Sequence, residues 1–149
     1  MFLNILVGLD GSPSSLQALE RAAELARAGN AKLTLITVAP PVSSYVTLGG
    51  ISVEMMRAEL DKWAESVLKD AATSVPDDVV AHRVQRTGPA GPEIVEEIER
   101  GGYDLIVLGS RGRGRTQEGL LGSVNGYVHF HSRVPLLTVP EEGVASSNR

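Results

Sequence analysis

Apolar residues along this chain fall into two alternating rhythms. Short continuous runs, closed by turn-forming residues, read as buried strands, and longer stretches with apolar residues every three or four positions read as helices. Phe2 to Leu9 is the first run, ended by Asp10-Gly11-Ser12-Pro13. Ser12 suits a helix N-cap and Pro13 the first helical position, after which Leu16, Leu19, Ala22, Ala23 and Ala26 recur at helical spacing as far as Gly29-Asn30. Lys32 to Val38 is rich in β-branched residues and reads as a second strand. Pro40 to Ser52, with two prolines, three serines and two glycines, reads as a long surface loop, either a cover or a plain connection. The stretch from Val53 to Thr73 carries Met56, Leu60, Trp63, Val67 and Ala71 on one stripe, expected to face the core. Asp77 to Thr87 alternates imperfectly, as a strand near the edge of a sheet does, with His82 half-exposed.

The second half repeats the rhythm. Gly88 to Pro92 reads as a turn, and Glu93 to Arg100 as a short acidic helix with Ile94, Val95 and Ile98 inward, ended by Gly101-Gly102. Asp104 opens a fourth run, Leu105 to Leu108, which stops at Gly109. Helical spacing resumes after Gly122-Ser123, with Val124, Tyr127, Val128 and His131 on one face. Gly126 inside that helix costs about 1 kcal/mol relative to alanine. Pro135 to Val139 is a last strand. The polar residues from Glu141 to Arg149 are expected to be a disordered tail, leaving residues 1–140 as one domain. Five strand-and-helix alternations predict an α/β fold, a single doubly wound five-stranded parallel sheet with helices on both faces. Right-handed crossovers leave few topologies, and the strand order expected is 3-2-1-4-5.

Composition narrows the function. With 149 residues, 42% of them apolar, the chain can bury a core without staples. It has no cysteine, so disulfides and thiolate metal sites are excluded. The start lacks the basic and apolar segments of a signal peptide, and no apolar run nears the roughly 20 residues that cross a bilayer, so a cytoplasmic address away from membranes is expected. Fourteen basic against 18 acidic side chains argue against nucleic-acid binding, which rewards a basic face. The arginines are bunched instead: Arg111, Arg113 and Arg115 share the glycine-rich stretch after the fourth strand.

That stretch carries the candidate chemistry. A strand that ends in glycines and leads to a helix start brings backbone N–H groups to one point, and the partial positive charge there suits phosphate. In the expected order strands 1 and 4 are neighbours at the switch point, so the Asp10–Pro13 turn and the Gly109–Ser123 loop face one another across a ligand. The glycines fall as Gly109-x2-Gly112-x9-Gly122-Ser123, which is neither a Walker A loop nor the dinucleotide fingerprint. His129 and His131, two apart on a helix, do not share a face and are not a metal pair.

The spacing resembles the universal stress protein family, whose ATP-binding members carry Gly-x2-Gly-x9-Gly followed by Ser or Thr. ILVGLDGS, TGPAGPEIVEEI, DLIVLGSRGRG and LLGSVNGYVHFHSRVPLLTVP are similar to that family in its usual order, over Leu3 to Pro140. The resemblance implies ATP, or ADP or AMP in its place, lying across the tips of strands 1, 2 and 4, with Mg²⁺ or Mn²⁺ on the phosphates. It implies Asp10 beside the ribose and adenine, flanked by Leu9 and by Gly8, which stands where many relatives have proline. Val38 is implied to read the adenine edge through its backbone, and Gly109 to let the ribose approach. Arg111, Gly112, Gly122, Ser123 and Val124 are implied to hold the phosphates. It further implies a homodimer in which strand 5, Val134 to Val139, pairs across a two-fold axis.

Each assignment has a plainer alternative: an Asx turn for Asp10, turn geometry for Gly109 and Gly112, a helix cap for Ser123. The function expected is a nucleotide-dependent stress-response or signalling module. The alternatives are a slow ATPase or nucleotide-transfer enzyme on the same site, and a flavodoxin-like FMN carrier. Only Asp10 and Glu118 offer carboxylates near the loop, so ATP hydrolysis is expected to be slow at most.

Overall fold

The computed structural model describes residues 1–42, 52–110 and 122–141. Along the chain the elements are β1 (Asn4–Gly8), α1 (Pro13–Gly29), β2 (Lys32–Ala39), α2 (Val53–Ala72), β3 (Ala81–Thr87), α3 (Ala90–Gly101), β4 (Leu105–Gly109), α4 (Ser123–His131) and β5 (Leu136–Val139). The strands form one parallel sheet in the order β3-β2-β1-β4-β5, the doubly wound arrangement read from the sequence.

Continuous apolar runs formed the three central strands because both faces of the sheet are covered. Successive side chains alternate between two cores. Ile5, Val7, Leu33, Leu35, Leu105 and Val107 join α1 and α2 on one face. Leu6, Ile36, Ile106 and Leu108 join α3 and α4 on the other. Full burial of a Leu or Ile side chain stabilises by about 1.5–3 kcal/mol, so these strands dominate the driving force.

Helix ends follow local chemistry. Ser12 caps α1 by accepting the Ser15 N–H at 3.2 Å, with Pro13 next, and Asn30 closes it in the left-handed region at φ 53°. Gly11, at φ 82°, makes the preceding turn in a conformation few other residues adopt. Asp104 ties the sheet's opposite end together: its carboxylate accepts N–H groups from Leu3 and Asn4 at 2.8 and 3.0 Å.

Several local expectations are corrected. On α1, Leu16 is exposed while Ser14 and Ser15 are buried, because the first turn packs against the end of β4, where only small side chains fit. On α2 the buried residues are Ala64, Leu68 and Ala71; Met56, Leu60 and Trp63 are only half-buried, and the burial is concentrated in the helix's second half. Helix α3 starts at Ala90, three residues earlier than Glu93, because Pro92 falls within the first turn, where its missing N–H costs nothing. Strand β3 starts at Ala81 after a turn closed by Val79 N–H to the Pro76 carbonyl. His82 is exposed there. Asn125, unmarked in the sequence, is one of two buried residues on α4; the other is Val128. The tail beyond residue 141 and most of the Pro40–Ser52 loop lie outside the described residues.

Candidate functional site at the switch point

The strand order reverses between β1 and β4, and in open α/β sheets the crevice beyond the carboxyl ends at such a point takes ligands. The two strands run in register from Ile5 opposite Leu105 to Val7 opposite Val107. Carried one step further, that register brings buried Gly8 beside Leu108, whose Cδ2 occupies the space a Gly8 side chain would need, 2.5 Å from its Cβ position. Leu9 is buried and fastened to β2 twice: its N–H donates to the Ile36 carbonyl at 2.8 Å, and its carbonyl accepts the Thr37 hydroxyl at 2.6 Å. Thr37 is thus a positioning residue that hydrophobic patterning did not single out.

Asp10 follows immediately, half-buried at the mouth of the crevice. Its Oδ1 accepts the Ser12 N–H at 2.9 Å, which is the Asx turn considered as the plainer alternative. Its own N–H donates to Ser15 Oγ at 3.4 Å, and that hydroxyl donates to the Ser12 carbonyl. The turn is therefore rigid, and holds one carboxylate in a defined place.

Val38 lies two residues beyond Ile36 on β2. Backbone groups of alternate residues point to the same side of a strand. Ile36 gives its carbonyl to β1, so Val38 turns its N–H and C=O toward the space that β1 has vacated by leaving the sheet at Asp10. The other side of β2 stays paired, with Val38 opposite Arg86 and the Gly88 N–H on the Ala39 carbonyl at 2.9 Å.

A charged cluster stiffens this flank. Arg86 is 15% exposed and reaches Glu93 at 2.9 Å, Glu96 at 3.1 Å and Glu97 at 3.3 Å. Burial opposes its charge, but hydrogen bonding and attraction from Glu93 and Glu96 outweigh that, and its pKa is raised. Glu97 also accepts the Tyr103 hydroxyl at 2.8 Å. Burial pushes the Tyr103 phenol up to about 12, opposed by Thr34 and reinforced by Glu97. This cluster joins α3 to β3 and is structural in character.

At the other wall, Gly109 ends β4 against the first turn of α1. A Cβ at Gly109 would stand 2.5 Å from Ser14 Oγ and 2.6 Å from the Ser14 carbonyl carbon, so helix packing by itself demands glycine here. The chain re-enters at Gly122, whose N–H donates to the Ser110 carbonyl at 3.2 Å, closing the base of the intervening segment. Gly122 is the N-cap of α4 and offers no side chain, so the amides of Ser123, Val124 and Asn125 start the helix with no intrahelical acceptor. Ser123 is exposed and Val124 half-buried at this end. Arg111 and Gly112, with Arg113, Arg115 and Glu118, lie outside the described residues.

The described residues of the candidate set thus gather at one end of the sheet: Gly8, Leu9 and Asp10 from β1, Val38 from β2, Gly109 from β4, and Gly122, Ser123 and Val124 from α4. Among the described residues no three His, Asp or Glu side chains group closely enough to hold a metal ion. No described helix is long and apolar enough to cross a membrane.

A five-stranded parallel sheet in the order β3-β2-β1-β4-β5, with helices on both faces, defines the class as a doubly wound α/β domain. The family follows from comparison: residues 1–140 match the model of the universal stress protein family, and this chain belongs to that family. Universal stress protein YxiE of Bacillus subtilis is 33% identical over 147 residues, covering 93% of this chain and 99% of the relative. Among solved structures, hypothetical protein MJ0577 superposes with a TM-score of 0.81 at 24% identity, covering 94% of this chain and 96% of its own, a likeness of fold. A universal stress protein solved in complex with cAMP superposes with a TM-score of 0.69 at 29% identity, over 94% and 98% of the two chains. A family protein from Arabidopsis thaliana with AMP bound is 20% identical with a TM-score of 0.70, over 98% and 96%, again a likeness of fold.

Proposed function

We propose that this chain is a nucleotide-binding stress-response module that takes ATP in the crevice between the carboxyl ends of β1 and β4, and that occupancy, rather than turnover, is its output. The observation that carries the reading is the convergence, at one end of the sheet, of a rigid carboxylate turn, an outward-turned backbone donor–acceptor pair and an uncapped helix start. The relative in complex with cAMP, at 29% identity, supports an adenine nucleotide as the ligand class.

In this reading the Val38 N–H and C=O meet the adenine edge, and Asp10 accepts hydrogen bonds from ribose hydroxyls beside Gly8, Leu9 and Gly109. The amides of Ser123 and Val124 and the Ser123 hydroxyl hold phosphate oxygens at the Gly122 cap, with Arg111 and Gly112 contributing from the loop. Hydrogen bonds to a charged phosphate are about twice as strong as neutral ones, so most of the affinity for ATP over adenosine comes from this end. Mg²⁺ or Mn²⁺ would arrive on the phosphates. A second copy pairing along β5, whose outer edge carries Leu137, would complete a homodimer.

Mass spectrometry of nucleotide released from the purified protein identifies the ligand, with ATP expected and ADP, AMP or cAMP as the distinguishable alternatives. Calorimetric titration then compares the wild type with Gly122→Ala and Gly112→Val. Both variants are expected to remain folded and to lose ATP binding; normal ATP affinity in both would refute the site.

A further inference from the structure

Asn125 is 3% exposed, and both ends of its carboxamide are engaged. Nδ2 donates to the Gly109 carbonyl at 2.7 Å, and Oδ1 accepts the Thr138 hydroxyl at 3.0 Å. Asparagine is a mediocre helix former, so helix propensity does not account for it. Its place does: it lies in the first turn of α4, just after the Gly122 N–H that donates to the Ser110 carbonyl beyond the end of β4. The Gly109 carbonyl, which can only accept, fixes the direction of the amide. With the N–H₂ group donating to it, Oδ1 is left for the Thr138 hydroxyl; a reversed amide would set two carbonyl oxygens face to face. Gly109 meanwhile packs against Ser14, in the turn of α1 that follows Asp10. One residue at the tip of β4 is thus the common reference for the carboxylate side and the helix-start side of the crevice.

We propose that Asn125 is a positioning residue for the phosphate end of the nucleotide site, holding the first turn of α4 at a fixed distance from the Asp10 turn, with Thr138 anchoring its oxygen end. The inference rests on the nucleotide reading above. Its signature is selectivity: a ligand that uses both sides of the crevice depends on Asn125, and one that uses only the adenine and sugar side does not.

Titration of wild type, Asn125→Ala and Thr138→Val with ATP and with adenosine separates the possibilities. Asn125→Ala is expected to weaken ATP at least about tenfold, or about 1.4 kcal/mol, and to leave adenosine within about twofold. Thr138→Val, nearly isosteric, is expected to shift ATP in the same direction by about threefold. It decides the matter if Asn125→Ala does not fold. Equal losses for both ligands, or unchanged ATP affinity, would overturn the positioning role. A wild type that binds neither ligand would overturn the nucleotide reading itself.

Discussion

Alanine at Gly109 and alanine at Gly126 are the same chemical change with opposite expected signs. At Gly109 the new Cβ would lie 2.5 Å from Ser14 Oγ, 2.6 Å from its carbonyl carbon and 2.8 Å from its carbonyl oxygen. Heavy atoms pack favourably at about 3.5–4.0 Å, so the contact is short by about 1 Å. A side chain could rotate away, but two of these three atoms are main chain of α1. The helix start, or the end of β4, must move. Overpacking of this kind costs about 1–3 kcal/mol, and the upper half of that range applies because backbone yields least. Loss of glycine's freedom in the unfolded chain returns about 0.4–1 kcal/mol, leaving a net loss of about 1–2.6 kcal/mol. At Gly126, in contrast, a Cβ meets nothing within 4 Å and the position is an exposed helix interior, so alanine should gain about 0.5–1 kcal/mol. Urea denaturation followed by far-UV circular dichroism reads both. With a slope of about 2 kcal/mol/M, the Gly109→Ala midpoint falls by roughly 0.5–1.3 M and the Gly126→Ala midpoint rises by roughly 0.3–0.5 M. A neutral Gly109→Ala would refute the packing argument, and with it the claim that β4 and α1 are locked at this point.

Further outcomes are expected. Tyr103, raised to about 12, keeps its proton longer in the folded chain than in the unfolded one, whose phenol ionises near 10; this contribution is complete below about pH 10 and lost as pH rises through 12. Between pH 9 and 11.5 the wild type should therefore lose up to about 2 kcal/mol that Tyr103→Phe does not lose, measured by urea midpoints; parallel losses would refute the assignment. Arg86→Met leaves Glu93 and Glu97, 21% and 14% exposed, without their cation and should destabilise by about 2–3 kcal/mol, whereas Arg27→Met at the exposed Asp78 pair should cost under about 0.5 kcal/mol in the same assay. Leu137→Lys on the β5 edge should convert a dimer to a monomer in light scattering at micromolar concentration, and a wild-type monomer would remove the dimer proposal. Phosphate release from ATP should stay below about one per second, the low end of ordinary enzyme turnover.

The central strands and their order were legible because burial on both faces writes itself as uninterrupted apolar runs, and because crossover handedness leaves little choice of topology. The acidic turn and the glycine before α4 were legible for a similar reason: each is a local break with its own turn chemistry. What patterning missed are residues whose roles depend on partners far away in sequence. Ser14 reads as a polar residue near a cap, yet it is 1% exposed because Gly109 admits it. Asn125 reads as a poor helix residue, and only the Gly109 carbonyl and Thr138 explain it. Thr37 reads as one more β-branched strand residue, and only the Leu9 carbonyl gives its hydroxyl a purpose. The α2 stripe misled in the other direction: its periodicity is real, but among its described residues only Ala64, Leu68 and Ala71 are buried, all in the helix's second half.

Glycine spacing therefore deserves to be divided by cause before it is used as a functional signature. Gly109 is demanded by α1 whether or not a ribose ever approaches, since any side chain there collides with helix backbone. Gly122 stands differently: it caps α4 at φ −59°, a value open to other residues, and a serine or aspartate there would cap the helix with its own side chain. A glycine at that N-cap forgoes only a few tenths of a kcal/mol relative to the best capping side chains, and it places no side chain of its own on the first-turn amides. An anion at this end would thus draw more on the bare helix start at Gly122 than on Gly109, which packing alone explains.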